Sequence, residues 1–105
     1  MVIIETSVFT RQVNDLFTDE EYHELQAALV NRPDAGAIIV GGGGLRKLRW
    51  RVHGKGKRGG VRVVYYWARA KDQLLMLSIY PKSERDDLTV AQRKTLKRII
   101  EEEYP

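Results

Sequence analysis

Residues 35 to 71 carry ten cations (Arg46, Lys47, Arg49, Arg51, Lys55, Lys57, Arg58, Arg62, Arg69 and Lys71) and no acid. This run restricts the fold more than any other feature, because a segment without internal counter-charge repels itself on compaction and needs an anion from outside it. The first 34 residues hold two cations against seven acids, and the last 34 hold six against seven. The formal net charge of +4 thus averages an acidic start, a strongly basic middle and a near-neutral end. A solvated basic face is the plain explanation. A polyphosphate partner is the more specific one, and Trp50, Tyr65, Tyr66 and Trp67, interleaved with the cations, supply rings that could stack on unpaired bases.

The 105 residues, 43% of them hydrophobic, suit a single domain spanning 1–105. With no Cys there is no disulfide framework, thiol nucleophile or Cys-ligated zinc. His23 and His53 lie thirty positions apart, without metal-ligand spacing, so neither a metal site nor a cofactor is expected. No apolar run approaches the roughly 20 residues that cross a bilayer, and the opening residues lack the pattern of a secretory leader. A cytoplasmic location, away from membranes, is expected.

Val2 to Ile4 form a β-branched run suited to a first strand. Phe9, Val13, Leu16 and Phe17 recur at helical spacing. Thr18 with Glu21 three residues on fits a capping box, opening a second helix whose stripe is Tyr22, Leu25, Ala28 and Leu29 and which Pro33 stops. Residues 36–44, with five glycines, read as a loop containing a brief extended piece. From Leu45 the period becomes two: Leu48, Trp50 and Val52 point one way, and Lys47, Arg49 and Arg51 the other. A glycine-rich hairpin at 53–60, a strand over 61–67 and an apolar strand over 73–80 follow. Thr89 and Gln92 form a second capping signal, and the closing helix is expected to turn Val90, Leu96, Ile99 and Ile100 inward. This order predicts an α+β domain with helices packed on one face of a mostly antiparallel sheet.

Two glycine motifs bear on chemistry. Gly41 to Gly44 precede Leu-Arg-Lys, which opens a strand, whereas a nucleotide-binding P-loop ends in Gly-Lys-Ser/Thr and opens a helix; the glycines read as an approach to the strand. In GKGKRGGVR (54–62), glycines let backbone amides turn toward a shared anion, and Lys55, Lys57 and Arg58 surround that place with charge, although a solvated hairpin tip fits the same residues. Arg62 differs because its strand neighbours fix its direction, so its planar fork can hold a phosphate. His53 is a candidate acid or base or a surface residue, and His23, in an acidic helix, reads as structural.

Gly-Gly-Leu-Arg-Lys at 43–47, Gly-Lys-Gly-Lys-Arg-Gly-Gly at 54–60 with Arg62, Val63 and Tyr65, then Tyr80-Pro81-Lys82-Ser83-Glu84 and Asp87-Leu88-Thr89, closely resemble the HigB branch of the RelE-like bacterial toxins. The resemblance covers essentially the whole chain. It implies a RelE-like fold with a sheet of four to five strands, two N-terminal helices packed on it and a C-terminal helix. It also implies a toxin of a type II toxin-antitoxin system: a ribosome-dependent mRNA interferase that enters the ribosomal A site, cuts mRNA there and so inhibits translation. The implied partner is a cognate helix-turn-helix antitoxin, through which alone operator DNA would be bound.

The implied chemistry is metal-free attack of an mRNA 2′-hydroxyl on its neighbouring phosphate. It needs a base, cations for the pentacoordinate phosphorus and an acid for the departing 5′-oxygen. By motif, Lys55 matches the family lysine preceding the catalytic arginine, Arg62 matches that arginine, and Lys82 matches a cation after the last strand. Lys55 would be the base, since like charges at Lys57 and Arg58 disfavour its protonated form. Arg46, Lys47, Arg49, Lys57 and Arg58 would bind RNA phosphates. Where better-studied members carry an arginine and a later tyrosine after the last strand, residues 82–89 here contain no tyrosine, so the acid is sought among Tyr80, His53 and Tyr104. Two other readings use the same cations: a non-catalytic RNA- or ribosome-binding module, and a protein that neutralises an acidic chain.

Overall fold

Each α-helix begins where a threonine hydroxyl replaces a missing helical hydrogen-bond partner. In the computed structural model, which describes residues 1–52 and 59–105, Thr6 accepts from the Phe9 amide and opens α1 (Ser7–Leu16). Thr18 and Glu21 form a reciprocal capping box at the start of α2 (Asp19–Asn31), and Thr89 and Gln92 form another at the start of α3 (Val90–Glu103). Both boxes are as the sequence predicts.

The strands are β1 (Val2–Glu5), β2 (Ala37–Ile38), β3 (Leu45–Trp50), β4 (Val61–Ala68) and β5 (Gln73–Pro81). They form one sheet in the order β1-β5-β4-β3-β2, in which β1 runs parallel to β5 and every other pairing is antiparallel. The first strand thus lies beside the last, and α1 and α2 form the return path over the sheet. The β2–β3 turn uses the glycine run, with Gly41, Gly43 and Gly44 at positive φ. At Gly60, also at positive φ, a Cβ would stand 2.3 Å from the Trp50 carbonyl oxygen, so the close approach of β3 and β4 requires glycine there.

Alternation along β4 and β5 sorts their side chains onto two faces. Val61, Val63, Tyr65, Leu74, Met76 and Ile79 meet Phe9, Val13, Phe17, Leu25 and Leu29 in one buried cluster. Val64, Leu75, Leu77 and Tyr80 join Leu45 and Ile100 in the other, with Leu96 and Ile99 packed alongside. The helices therefore cover both faces, α1 and α2 on one and α3 on the other, which corrects the single-face expectation. Both central strands are apolar on both sides and need two covers. Leu77 is skipped in the register between Met76 and Ser78, and this irregularity resets the alternation before the end of β5. Val90 is 57% exposed and does not turn inward: it is the first helical residue after the Thr89 cap, a turn short of the apolar stripe. No described helix is long and apolar enough to cross a membrane.

Each of the interleaved aromatics packs within the fold, Tyr65 completely and Trp50, Tyr66 and Trp67 in part. Tyr65 is fully buried, accepts from the Gly36 amide (2.8 Å) and donates to the Pro33 carbonyl (2.7 Å), fixing the link from α2 to β2. Trp50 and Trp67 pack against the α1/α2 cluster, and Tyr66 packs against Tyr104 at 5.4 Å between ring centres.

Candidate functional site

Antiparallel pairing places Arg49 of β3 directly opposite Arg62 of β4, and Arg62 directly opposite Tyr80 of β5. Residues paired this way send their side chains to the same face, here the α3 face, and Lys47 shares it two positions from Arg49. Two arginines directly opposite one another repel, so the row needs an anion. The loop after β5 supplies two. The Asp86 carboxylate accepts from Arg62 Nε at 2.9 Å, and Asp87 pairs with Lys47, whose ammonium also donates to the Asp86 carbonyl at 3.4 Å. The Arg62 side chain is only 5% exposed, and its Nη1 donates to the carbonyls of Gly59 and Val61, each at 3.3 Å. The hydrogen bond from Arg62 is the main cause holding the Asp86 carboxyl below its ordinary value of 3.8; slight desolvation opposes it, and the charges of Arg62, Lys47 and Lys82 reinforce it.

Tyr80 is 5% exposed, and among the described residues its hydroxyl is the buried side-chain polar atom with no hydrogen-bond partner. Burial pushes its pKa up, and the nearby charges of Asp87, Arg85, Arg62 and Asp86 act on it in both directions. The Arg85 guanidinium lies 5.5 Å from the centre of the Tyr80 ring. Tyr80 thus stands between the cationic row and a groove of about 560 Å3 bounded by α1, the end of β5, the following loop and α3. Lys82 donates its amide to the Gly60 carbonyl (3.1 Å), and its side chain lies against Gly59, at the same end of the sheet as Arg62.

The structure accordingly brings Lys47, Arg49, Arg62, Tyr80 and Lys82 to one end of one face. Arg46 is out of phase with Lys47 and lies on the other face, where its guanidinium donates to the carbonyls of Gly36 (2.8 Å) and Asp34 (3.3 Å) beside Tyr65. That engagement is structural and removes Arg46 from the cationic row. Tyr104 is also separated from the row: its hydroxyl donates to Gln73 at the start of β5, whereas Tyr80 lies near the strand's end, seven residues and about 20 Å away. His53, Lys55, Lys57 and Arg58 lie outside the described residues. Asp86 and Asp87 were not singled out as site residues from the sequence. The available signal was the charge balance itself, since an acid-free basic run requires acids from elsewhere, and these two adjoin the strand that pairs with β4.

Over residues 1–103 the chain matches a family model described as the RelE toxin of the RelE/RelB toxin-antitoxin system. Among solved structures, it is similar to the isolated E. coli RelE toxin in its P21 form, with a TM-score of 0.59 and 16% identity, covering 93% of this chain and 97% of that one. It is also similar to a chain of the intact E. coli RelBE toxin-antitoxin complex, with a TM-score of 0.57 and 16% identity over 74% of this chain and 92% of that one. At this identity the two structures speak to the fold.

Proposed function

Because the chain belongs to the RelE toxin family, we propose that it is a ribosome-dependent endoribonuclease of the HigB branch, cutting translated mRNA in the A site and so inhibiting translation in the cytoplasm. The observation that carries this reading is the row Arg49, Arg62 and Tyr80, with Lys47 and Lys82 beside it, at one end of a single face. Arg62 would take the scissile phosphate. A guanidinium held by the carbonyls of Gly59 and Val61 is pre-oriented, and stabilising the developing charge on phosphorus needs no rearrangement of it. Lys82 would share that charge. Lys55 would accept the 2′-hydroxyl proton as the oxygen bonds to phosphorus, and Tyr80, which keeps its proton at neutral pH, would give one to the leaving 5′-oxygen. The products are a 2′,3′-cyclic phosphate and a 5′-hydroxyl, and neither metal nor cofactor takes part. Lys47, Arg49, Lys57 and Arg58 would bind flanking phosphates.

A cognate antitoxin with a helix-turn-helix domain would restrain the toxin and carry it to operator DNA. In a second reading, the face binds RNA or the ribosome without cutting, which the burial of the candidate acid Tyr80 favours. Expression in cells with transcript-end mapping separates the two. Cuts within translated codons that vanish in a folded Arg62→Ala variant support the nuclease, whereas intact transcripts with salt-sensitive ribosome binding support the module.

A further inference from the structure

The two acids of the post-β5 loop stand in an unusual relation to the cations they meet. The Arg62 side chain is 5% exposed and its partner Asp86 is 50% exposed; for Lys47 and Asp87 the figures are 17% and 75%. The cations belong to the sheet, and the carboxylates lie over them from the solvent side. Residues 82–87 are all exposed and contain neither helix nor strand, with the amides of Glu84 and Arg85 turned back to the Pro81 carbonyl. Lys47 and Arg62 are diagonal neighbours on adjacent strands, about 7–8 Å apart by sheet geometry, a spacing that consecutive phosphates of a nucleic-acid strand can match.

We propose that Asp86 and Asp87 are a built-in competitor for the anion seat: in the free protein their carboxylates occupy the places of two neighbouring RNA phosphates, and an RNA must displace them to bind. The inference rests on the reading of the row as the phosphate grip. A buried guanidinium left without an anion is strongly unfavourable, so Arg62 has one in both states, a carboxylate in the free protein and a phosphate in the complex. Both ligands accept from the same donors, and the exchange leaves the sheet untouched while the exposed loop swings away. Asp86, like any exposed aspartate, is ionised at neutral pH, so the ion pair with Arg62 at 2.9 Å keeps the seat filled there. RNA affinity is then scaled down in proportion to the small fraction of molecules whose loop is open, and the same factor weakens the binding of isolated phosphates and short RNAs.

The test compares the full-length protein with Asp86→Asn, Asp87→Asn and the double variant. Two readouts are taken: binding of a short RNA carrying 2′-O-methyl groups, which cannot be cut, and the rise in Tm on adding inorganic phosphate. The expected result is several-fold tighter RNA binding in Asp86→Asn, more in the double variant, and a larger phosphate-dependent rise in Tm than in the parent. Equal or weaker binding overturns the proposal, and weaker binding would make Asp86 a positioning residue for Arg62. If Asp86→Asn does not fold, Asp87→Asn decides: tighter binding supports the competitor and unchanged binding overturns it. Tighter binding by the variants with no transcript cleavage by the parent sinks the nuclease reading alone. Cleavage by the parent with unchanged RNA binding in the variants sinks the competitor alone.

Discussion

Tyr80 combines a stability liability with a chemical opportunity. A buried hydroxyl with no hydrogen-bond partner among the described residues forgoes its hydration, at a cost of roughly 1–3 kcal/mol. Tyr80→Phe is therefore expected to have a Tm equal to or above the parent's, while transcript cleavage falls about 10²- to 10⁴-fold if the phenol is the acid. A fall in Tm, or cleavage unchanged in a folded variant, contradicts that role. Asp86 gives a second prediction at this scale. A carboxyl held below its ordinary pKa contributes stability at higher pH and loses it as the pH falls through the folded-state value, so part of the acid-induced loss of stability, below about pH 3.8, belongs to this residue. Denaturation followed by circular dichroism should show a shallower acid limb in Asp86→Asn, and an identical limb would contradict it.

At the scale of elements, the helix starts were legible because a cap is a local event: Thr18 with Glu21, and Thr89 with Gln92, need only three residues of chain to find each other. Thr89→Ala is expected to lower stability by about 1 kcal/mol in chemical denaturation, more than changing the exposed Val90 beside it. Phe9→Ala, which empties a fully buried place in the α1/α2 core, should lose about 3–5 kcal/mol. Which face each element covers was less legible. The periodicity of a helix says that one side is apolar but not which side of a doubly apolar sheet it meets, and β4 and β5 offered both. Arg46 and Lys47 show the limit on the site residues. Strand alternation separates them, yet the partner that claims Arg46 is a pair of carbonyls near the α2–β2 link, which no local pattern announces.

At the scale of the whole molecule, the segregation of charge was fully readable, and so was its demand for an external anion. Its intramolecular answer was not, because Asp86 lies 24 residues from Arg62 along the chain and becomes its neighbour only through the hairpin pairing of β4 and β5. The same segregation predicts that binding to ribosomes weakens steeply as salt rises, with the logarithm of affinity falling linearly in the logarithm of salt concentration. Removing Arg49, an exposed member of the row, should reduce that slope, and removing Arg46 should leave it unchanged. Equal effects of the two variants would contradict the division of the basic run into an anion-binding part and a structural part.

The central claim, that this cationic face grips a translated message and helps break it by 2′-hydroxyl attack, is tested most directly by the chemistry of the 3′ ends of RNA cut during expression of the chain. Ends falling within translated codons are expected to carry 2′,3′-cyclic phosphates, absent when a folded Arg62→Ala protein is expressed. Ends bearing a 3′-hydroxyl, or cyclic phosphates that persist unchanged in that variant, would contradict it.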